Sequence, residues 1–362
     1  MRSAVVVGTG AIGTSVALAL TRGGVAVHLA DVNSTAARTA EAMGAGSLEP
    51  PKEPVDLAVL AVPPAHVAVE LARVQAEGLA HAYTDVASVK ARPQQDLAAA
   101  GSADPARYIG GHPLTGTDRS GPLAARADLF EGRPWVLTPS ARTDRAVLNR
   151  ALELVALCAA TPVIMDVVAH DRAVALTSHA PHLVAALMAA RLSDATDADL
   201  RVCGPGLRSL THAASGDPTL WQDILRANGA AVADVLEAYA ADLADAIRAL
   251  RALDSAVAPA RERAEGDMRR LLARGARGRS HTTPKPGTPP TDLTPVTVTV
   301  PDRPGILTQV FTAVGDIGTT IEDIRIDHAP GQGQGLVDLL VHRDAAPELA
   351  RLLGAGGWSV SG

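Results

Sequence analysis

Aromatic residues are scarce in this 362-residue chain: they make up 2% of it, as three tryptophans, three tyrosines and two phenylalanines. That excludes a core of stacked rings, so the 47% of hydrophobic residues must pack largely through Ala, Val and Leu. Cysteine is nearly absent, with only Cys158 and Cys203. This excludes a disulfide framework and a multi-cysteine metal site, and it fits a reducing compartment. No unbroken apolar run reaches the ~18 residues needed to span a bilayer. The apolar start of the chain is cut short by Gly8, too early for a signal peptide. A net charge of -6 speaks against general nucleic-acid binding. The expectation is a soluble cytoplasmic protein of two or three domains, with no membrane and no nucleic-acid partner.

What is present begins with glycine in a telling place. Ala4-Val5-Val6-Val7 reads as a buried parallel strand and runs into Gly8-Thr9-Gly10-Ala11-Ile12-Gly13, followed by an alanine-rich helical pattern. Gly8 permits a tight turn, Gly10 lets backbone approach a pyrophosphate, and Gly13 lets helix and strand pack closely. The helix N-terminus then offers free N–H groups to phosphate. A second strand ends at Asp31, whose carboxylate would accept from a ribose 2′-hydroxyl and repel a 2′-phosphate, which favours NAD over NADP. A flavin site, an NADP site or a purely structural glycine turn share the same spacing. A third strand over 56–62 closes on Pro63-Pro64, bringing Val62 and Pro63 to the cofactor side.

Strands alternate with helices up to about residue 140. The spacing predicts an α/β, doubly wound parallel (Rossmann) domain over residues 1–140, with ligands at the carboxyl ends of its strands. Ser88, in Asp85-Val86-Ala87-Ser88-Val89-Lys90, falls on that rim. So does His112, in a glycine-rich stretch from Gly110 to Gly121, where a neutral imidazole can serve as a base.

From Arg145 onward the strand signal fades and long Ala/Leu segments predict an all-helical second domain over 141–255. Its last long helix is suited to making a homodimer. Within it, His179 and His182 are three apart, but no third ligand completes a metal site. His182 suits an anionic ligand better. Gly204 and Gly206 lie in a glycine turn, with His212 and Trp221 beyond. Residues 256–294 read as a linker, charged and helical to about 274 and proline-rich over 284–290. Residues 295–362 follow a βαββαβ pattern, an α+β module.

Taken together, these loops resemble the prephenate dehydrogenase family. The resemblance rests on the GxGxxG turn, Ser88 before Val-Lys, Gly-Gly-His-Pro-x-x-Gly, Asp128-Leu129-Phe130-Glu131-Gly132, Ser-His-x-Pro-His and Asp-Pro-x-x-Trp, in that order. It implies NAD-dependent oxidative decarboxylation of a cyclohexadienyl acid, prephenate to 4-hydroxyphenylpyruvate, with His112 as base and Ser88 bonded to the same hydroxyl. It also implies a substrate pocket lined by Thr117, His182, Gly204 and Gly206, with Trp221 beside it. Two departures stand out. His212 occupies a place where family members carry a carboxylate-binding arginine, and Asp118 stands where glutamate is common. The first keeps open a second substrate, 4-amino-4-deoxyprephenate, as in antibiotic pathways. It also keeps open a catalytically silent NAD-binding regulator. The turn Asp302-Arg303-Pro304-Gly305 and Ile321-Glu322-Asp323-Ile324 resemble an ACT domain. That resemblance implies side-by-side pairing and an amino-acid effector, with a purely structural dimerisation module as the alternative.

Overall fold

The computed structural model describes residues 1–116, 119–280, 293–301, 306–317, 319, 323–328 and 334–361. The readings on Thr117, Asp118, residues 284–290, the turn 302–305 and residues 321–322 lie outside the described residues. The chain forms two compact units, Met1–Asp245 and Ala246–Gly362.

The first unit is built on a seven-stranded sheet. Its strands are β1 (Ser3–Val7), β2 (Ala26–Ala30), β3 (Val55–Leu60), β4 (Ala80–Asp85), β5 (Tyr108–Pro113), β6 (Pro134–Thr138) and β7 (Thr161–Ile164), in the order β2-β1-β3-β4-β5-β6-β7. Strands β1 to β5 pair in parallel, as expected for a Rossmann-like sheet. Two features correct the expectation. The β5–β6 pair is antiparallel, and β7 extends the sheet past the boundary set at residue 140. Thr161-Pro162-Val163-Ile164 was missed because four residues carrying a proline give almost no strand signal, yet an edge strand tolerates proline.

The sheet is covered on both faces. Alternate residues of β1 point to opposite cores. Ala4 and Val6 pack with Val16 and Leu20 of α1 (Ala11–Arg22), whereas Val5 and Val7 pack with Val67 and Leu71. This period-two alternation is what a doubly wound sheet needs. Helices α2 (Ser34–Ala42), α3 (Val67–Ala76), α4 (Ala91–Ala100) and α5 (Arg145–Leu157) complete the layers. The few aromatics are spent inside: Tyr83, Phe130 and Trp135 are fully buried.

The helical part follows with α6 (Val167–Val174), α7 (Ala180–Ala190), α8 (Asp197–Leu200), α9 (Pro205–His212) and α10 (Pro218–Ala252). Ala175–His179 join α6 to α7 as one π turn. Helix α10 kinks at Asn228, where φ is -122° and ψ is 20°. The stretch Val167–Asp194 has a mean hydropathy of 1.4 over a bilayer-length window, so one helical length does meet a compositional test for a span. That corrects the reading of unbroken runs. His170 and Asp171 interrupt the stretch yet are buried in it.

The second unit contains α11 (Ala258–Ser280), then β8 (Leu293–Pro301), α12 (Ile306–Ile317), β9 (Asp323–His328), β10 (Gln334–His342), α13 (Ala346–Ala355) and β11 (Ser359–Ser361). The helix in the expected linker runs to Ser280 instead of ending near 274. Gly275 and Gly278 disfavour helix by about 1 kcal/mol each, but the arginines around them are good helix formers. The four strands form an antiparallel sheet in the order β11-β8-β10-β9. This is the expected βαββαβ topology. Val296, Val298 and Val300 face its own core with Val337, Leu339, Leu349 and Leu353. On the other face, the Thr297 hydroxyl donates to Asp338 at 2.6 Å.

Candidate active site

The glycine turn after β1 has the shape of a dinucleotide cradle. Gly8 has φ +99°, and a Cβ there would lie 2.3 Å from the Ala61 carbonyl oxygen. A Cβ on Gly13 would lie 2.0 Å from the Gly8 oxygen, so only glycine lets α1 seat on the turn. A Cβ on Gly10 would meet nothing within 4 Å, which leaves open space for a ligand. No side chain caps α1, so its first N–H groups remain available to an anion. Asp31, at the end of β2, accepts from the Thr9 amide at 2.6 Å and the Thr9 hydroxyl at 2.8 Å, while its other oxygen takes the Asn33 amide at 2.7 Å. A carboxylate has about four lone-pair sites, so Asp31 still has capacity for a ribose hydroxyl. These residues fit NAD. Ala11 and Ile12 open α1 beside the turn, and Val62 and Pro63 leave β3 on the same rim.

His112 stands near the end of β5, between the buried Gly111 and Pro113. Its Nδ1 lies 2.8 Å from Nε2 of His170, and His170 Nδ1 lies 2.7 Å from the Asp171 carboxylate. Asp171 also accepts the Lys90 amide at 2.8 Å and the Ala91 amide at 2.9 Å. Burial works against the Asp171 charge, but hydrogen bonds from His170, Ala91 and Lys90 outweigh it and hold the carboxyl below its usual range. Burial, followed by the positive fields of His170, Lys90 and His179, holds the His112 imidazole well below its ordinary value. The ring is therefore neutral at pH 7, as a base requires.

Ser88 is half-buried in the loop after β4. Both ends of that loop are pinned. Asp85 accepts the Ala87 amide at 2.7 Å and the Tyr108 hydroxyl at 2.5 Å, and it pairs directly with the Lys90 ammonium. The same ammonium donates to the Gly111 carbonyl at 2.6 Å, tying this loop to the strand that carries His112. Burial lowers the Lys90 pKa against the attraction of Asp85, and burial followed by Asp85 raises Tyr108 well above its ordinary value.

The π turn at Ala175–His179 leaves Leu176, Thr177 and Ser178 exposed and turns His179 inward. Such turns recur at functional sites. Asn228, at the kink of α10, donates to the Asp171 carbonyl at 2.7 Å and lies 3.1 Å from His179 Nδ1. Burial depresses the His179 pKa to about 4 despite Asp171. His182 stacks on Trp221, ring centroids 3.5 Å apart and planes 8° from parallel, with His179 edge-on to the same indole. A Cβ on Gly216 would lie 2.3 Å from the Trp221 indole nitrogen, so this corner too needs glycine.

The structure thus brings His112 and Ser88 to one sheet rim and joins His182 to Trp221. It leaves Gly204, Gly206 and His212 exposed on α9, not buried beside His112. The sequence reading gave no role to His170, Asp171, Asp85, Lys90 or Asn228. The available signal was a His-Asp pair and an asparagine on otherwise apolar helices, where buried polar groups need partners.

The prephenate dehydrogenase nucleotide-binding domain matches residues 16–164, and the prephenate dehydrogenase dimerization domain matches residues 166–266. A probable prephenate dehydrogenase of Streptomyces niveus, NovF, is 44% identical over 348 residues, 95% of this chain and 96% of that protein. The prephenate dehydrogenase of Bacillus subtilis is 30% identical over 255 residues, 67% of this chain and 68% of its own. Among solved structures, prephenate dehydrogenase from Aquifex aeolicus in complex with hydroxyphenyl propionate and NAD+ matches with a TM-score of 0.65 at 26% identity. That match covers 77% of this chain and 97% of the other. The arogenate dehydrogenase of Synechocystis shares the fold, with a TM-score of 0.61 at 24% identity, over 77% of this chain and 99% of that one. The glycine cradle, the neutral histidine on the sheet rim and these matches converge on one conclusion: the chain belongs to the prephenate dehydrogenase family of NAD-dependent dehydrogenases.

Proposed function

We propose that this enzyme converts prephenate to 4-hydroxyphenylpyruvate. The observation that carries the reading is the neutral His112 imidazole, held on the same rim as the Ser88 loop and the glycine cradle. Bound NAD supplies the hydride acceptor for the substrate's carbinol carbon, and loss of carbon dioxide aromatises the ring. The chain's own part is to hold the ring in place and take a proton. Gly8, Thr9, Gly10, Gly13 and Asp31 hold the dinucleotide. His112 accepts the hydroxyl proton, which lowers the barrier to hydride loss from the same carbon. Ser88 donates to or accepts from that hydroxyl and fixes its direction. His182 and Trp221 form one wall of the substrate pocket, and Thr117 belongs to the same set by resemblance.

A second reading has one observation in its favour. His212 stands where the family carries arginine, and a neutral imidazole cannot make a charged bidentate bond to a carboxylate. That favours a substrate held differently, such as 4-amino-4-deoxyprephenate. The purified full-length chain, given NAD and either substrate, decides by the rate of NADH formation. The expected result is a higher kcat/KM on prephenate. A tenfold preference for the amino analogue, about 1.4 kcal/mol of barrier, would reverse the assignment.

We also infer that the C-terminal βαββαβ unit is an ACT-like module that binds an aromatic amino acid, that the dimerization-domain helices make a homodimer, and that the enzyme works in the cytoplasm. The support is the strand order and the separate core of the second unit. Calorimetry of the full chain with tyrosine, phenylalanine and p-aminophenylalanine tests the effector. Absence of heat with all three, together with an unchanged rate, leaves the module a structural one.

A further inference from the structure

His170 and Asp171 have no role in the chemistry so far, yet they are the direct neighbours of the proposed base. Their hydrogen bonds determine which nitrogen of His112 is free. An ionised carboxylate can only accept hydrogen bonds. Asp171 already accepts two backbone amides, and it faces His170 Nδ1 at 2.7 Å. That nitrogen therefore carries a hydrogen. A neutral His170 ring is then bare at Nε2, the atom 2.8 Å from His112 Nδ1. His112 must donate across that contact, so its own hydrogen sits on Nδ1. Its Nε2 is left unprotonated.

We propose that His170 and Asp171 are positioning residues that lock His112 in the Nδ1–H tautomer, with Nε2 as the base. The proposal rests on the reading of His112 as the base for the substrate hydroxyl. A free histidine side chain prefers its hydrogen on Nε2, which would aim a proton at the substrate and block the reaction. With the lock in place, the substrate O–H bond breaks, a bond to His112 Nε2 forms, and the ring becomes an imidazolium. Its positive charge is stabilised through His170 by the buried carboxylate. The Nδ1 hydrogen can pass to His170 Nε2 along the same contact.

The surrounding groups agree with this assignment. Lys90 is bound to Asp85 and to the Gly111 carbonyl, so it presents positive charge and no acceptor to His112. His179 is turned toward the Asn228 amide. Asn228 also holds the Asp171 carbonyl, which fixes the backbone that carries the pair. Sequence neighbours serve two different ends here: His170 reaches the sheet rim while Asp171 clamps the start of α4.

The test uses full-length protein labelled with 15N-histidine, read without ligands by two-bond nitrogen–proton correlation. The His112 signals are assigned against His112→Asn. The expected result in the unsubstituted protein is a hydrogen on Nδ1 of His112. His170→Leu removes the acceptor. In it the His112 hydrogen shifts toward Nε2, and kcat on prephenate falls about 100-fold with KM within about twofold, the range for a misplaced general base. His170→Gln keeps an acceptor oxygen near the original Nε2. It retains the Nδ1–H signal and keeps kcat within about tenfold of the parent. The proposal is overturned if the parent protein carries its hydrogen on Nε2, or if the Leu and Gln variants lose equal kcat. A parent that is inactive on prephenate, arogenate and the amino analogue defeats the base reading instead. The tautomer would still be read from the spectra.

Discussion

Lys90 and Asp85 are an ion pair with side-chain exposures of 1% and 0%, so neither charge is solvated by water. Replacing Lys90 with Met leaves the Asp85 carboxylate with the Tyr108 hydroxyl and the Ala87 amide, but with no counter-charge. Replacing Asp85 with Asn leaves a buried ammonium held only by the Gly111 carbonyl. Removing one partner of such a pair destabilises by about 3–5 kcal/mol. For a unit of this size about 2–4 °C of melting temperature goes with each kcal/mol, so either single change should lower it by roughly 6–20 °C. The double variant Lys90→Met/Asp85→Asn removes both charges. It should be much less damaged than the sum of the two, with a coupling of about 1–3 kcal/mol. Thermal unfolding of the four proteins, followed by circular dichroism, supplies the cycle. Strict additivity, or either single variant melting within about 2 °C of the parent, would refute the claim that this pair braces the Ser88 loop against the His112 strand.

Other outcomes follow from the same geometry. Gly13→Ala pushes a Cβ to 2.0 Å from the Gly8 oxygen, so its NAD dissociation constant should rise at least tenfold by calorimetry; unchanged affinity contradicts the packing argument. The His112 pKa is depressed well below 6.5, and the base must be neutral. Accordingly, kcat/KM should hold level from pH 7.5 to 6.5 and fall only at lower pH; an acid limb centred at or above 6.5 would count against it. His179, depressed to about 4, acts on stability in the same direction. Above pH 6.5 both folded and unfolded states are neutral there. Between 6.5 and about 4 the unfolded chain takes up a proton the folded one refuses, so the melting temperature should decline as pH falls through that window. Trp135→Phe deletes an indole N–H that is buried without a hydrogen-bond partner. The relief of that donor offsets lost packing, so stability should change by less than about 1 kcal/mol in urea unfolding, whereas a partnered core Trp would show a larger loss.

The glycine cradle, the sheet rim and the His112 loop were legible because each depends on local chemistry. Gly8, Gly10 and Gly13 mark their own turn, and Asp31 closes a strand that alternation already reveals. The βαββαβ unit was legible for the same reason, since Val296, Val298 and Val300 alternate with polar neighbours. Strand β7 was not, because a four-residue edge segment has too few positions to show a period. The lock on His112 was hidden for a different reason. His170 and Asp171 lie 58 and 59 residues from the strand they serve, and only the folded sheet brings them to it. His182 with Trp221 came together as expected, while α9 kept His212 outward, which spacing along the chain cannot reveal.

The five-residue turn between α6 and α7 has a consequence for how this lineage can change. Removing any one of those residues would leave a continuous α-helix, so neither length nor helicity would betray the loss. Everything past the deletion would nevertheless rotate by about 100°, swinging the His182 ring off the indole it now covers. Leu176, Thr177 and Ser178 can therefore vary freely in kind but not in number, because what the segment contributes is angular phase.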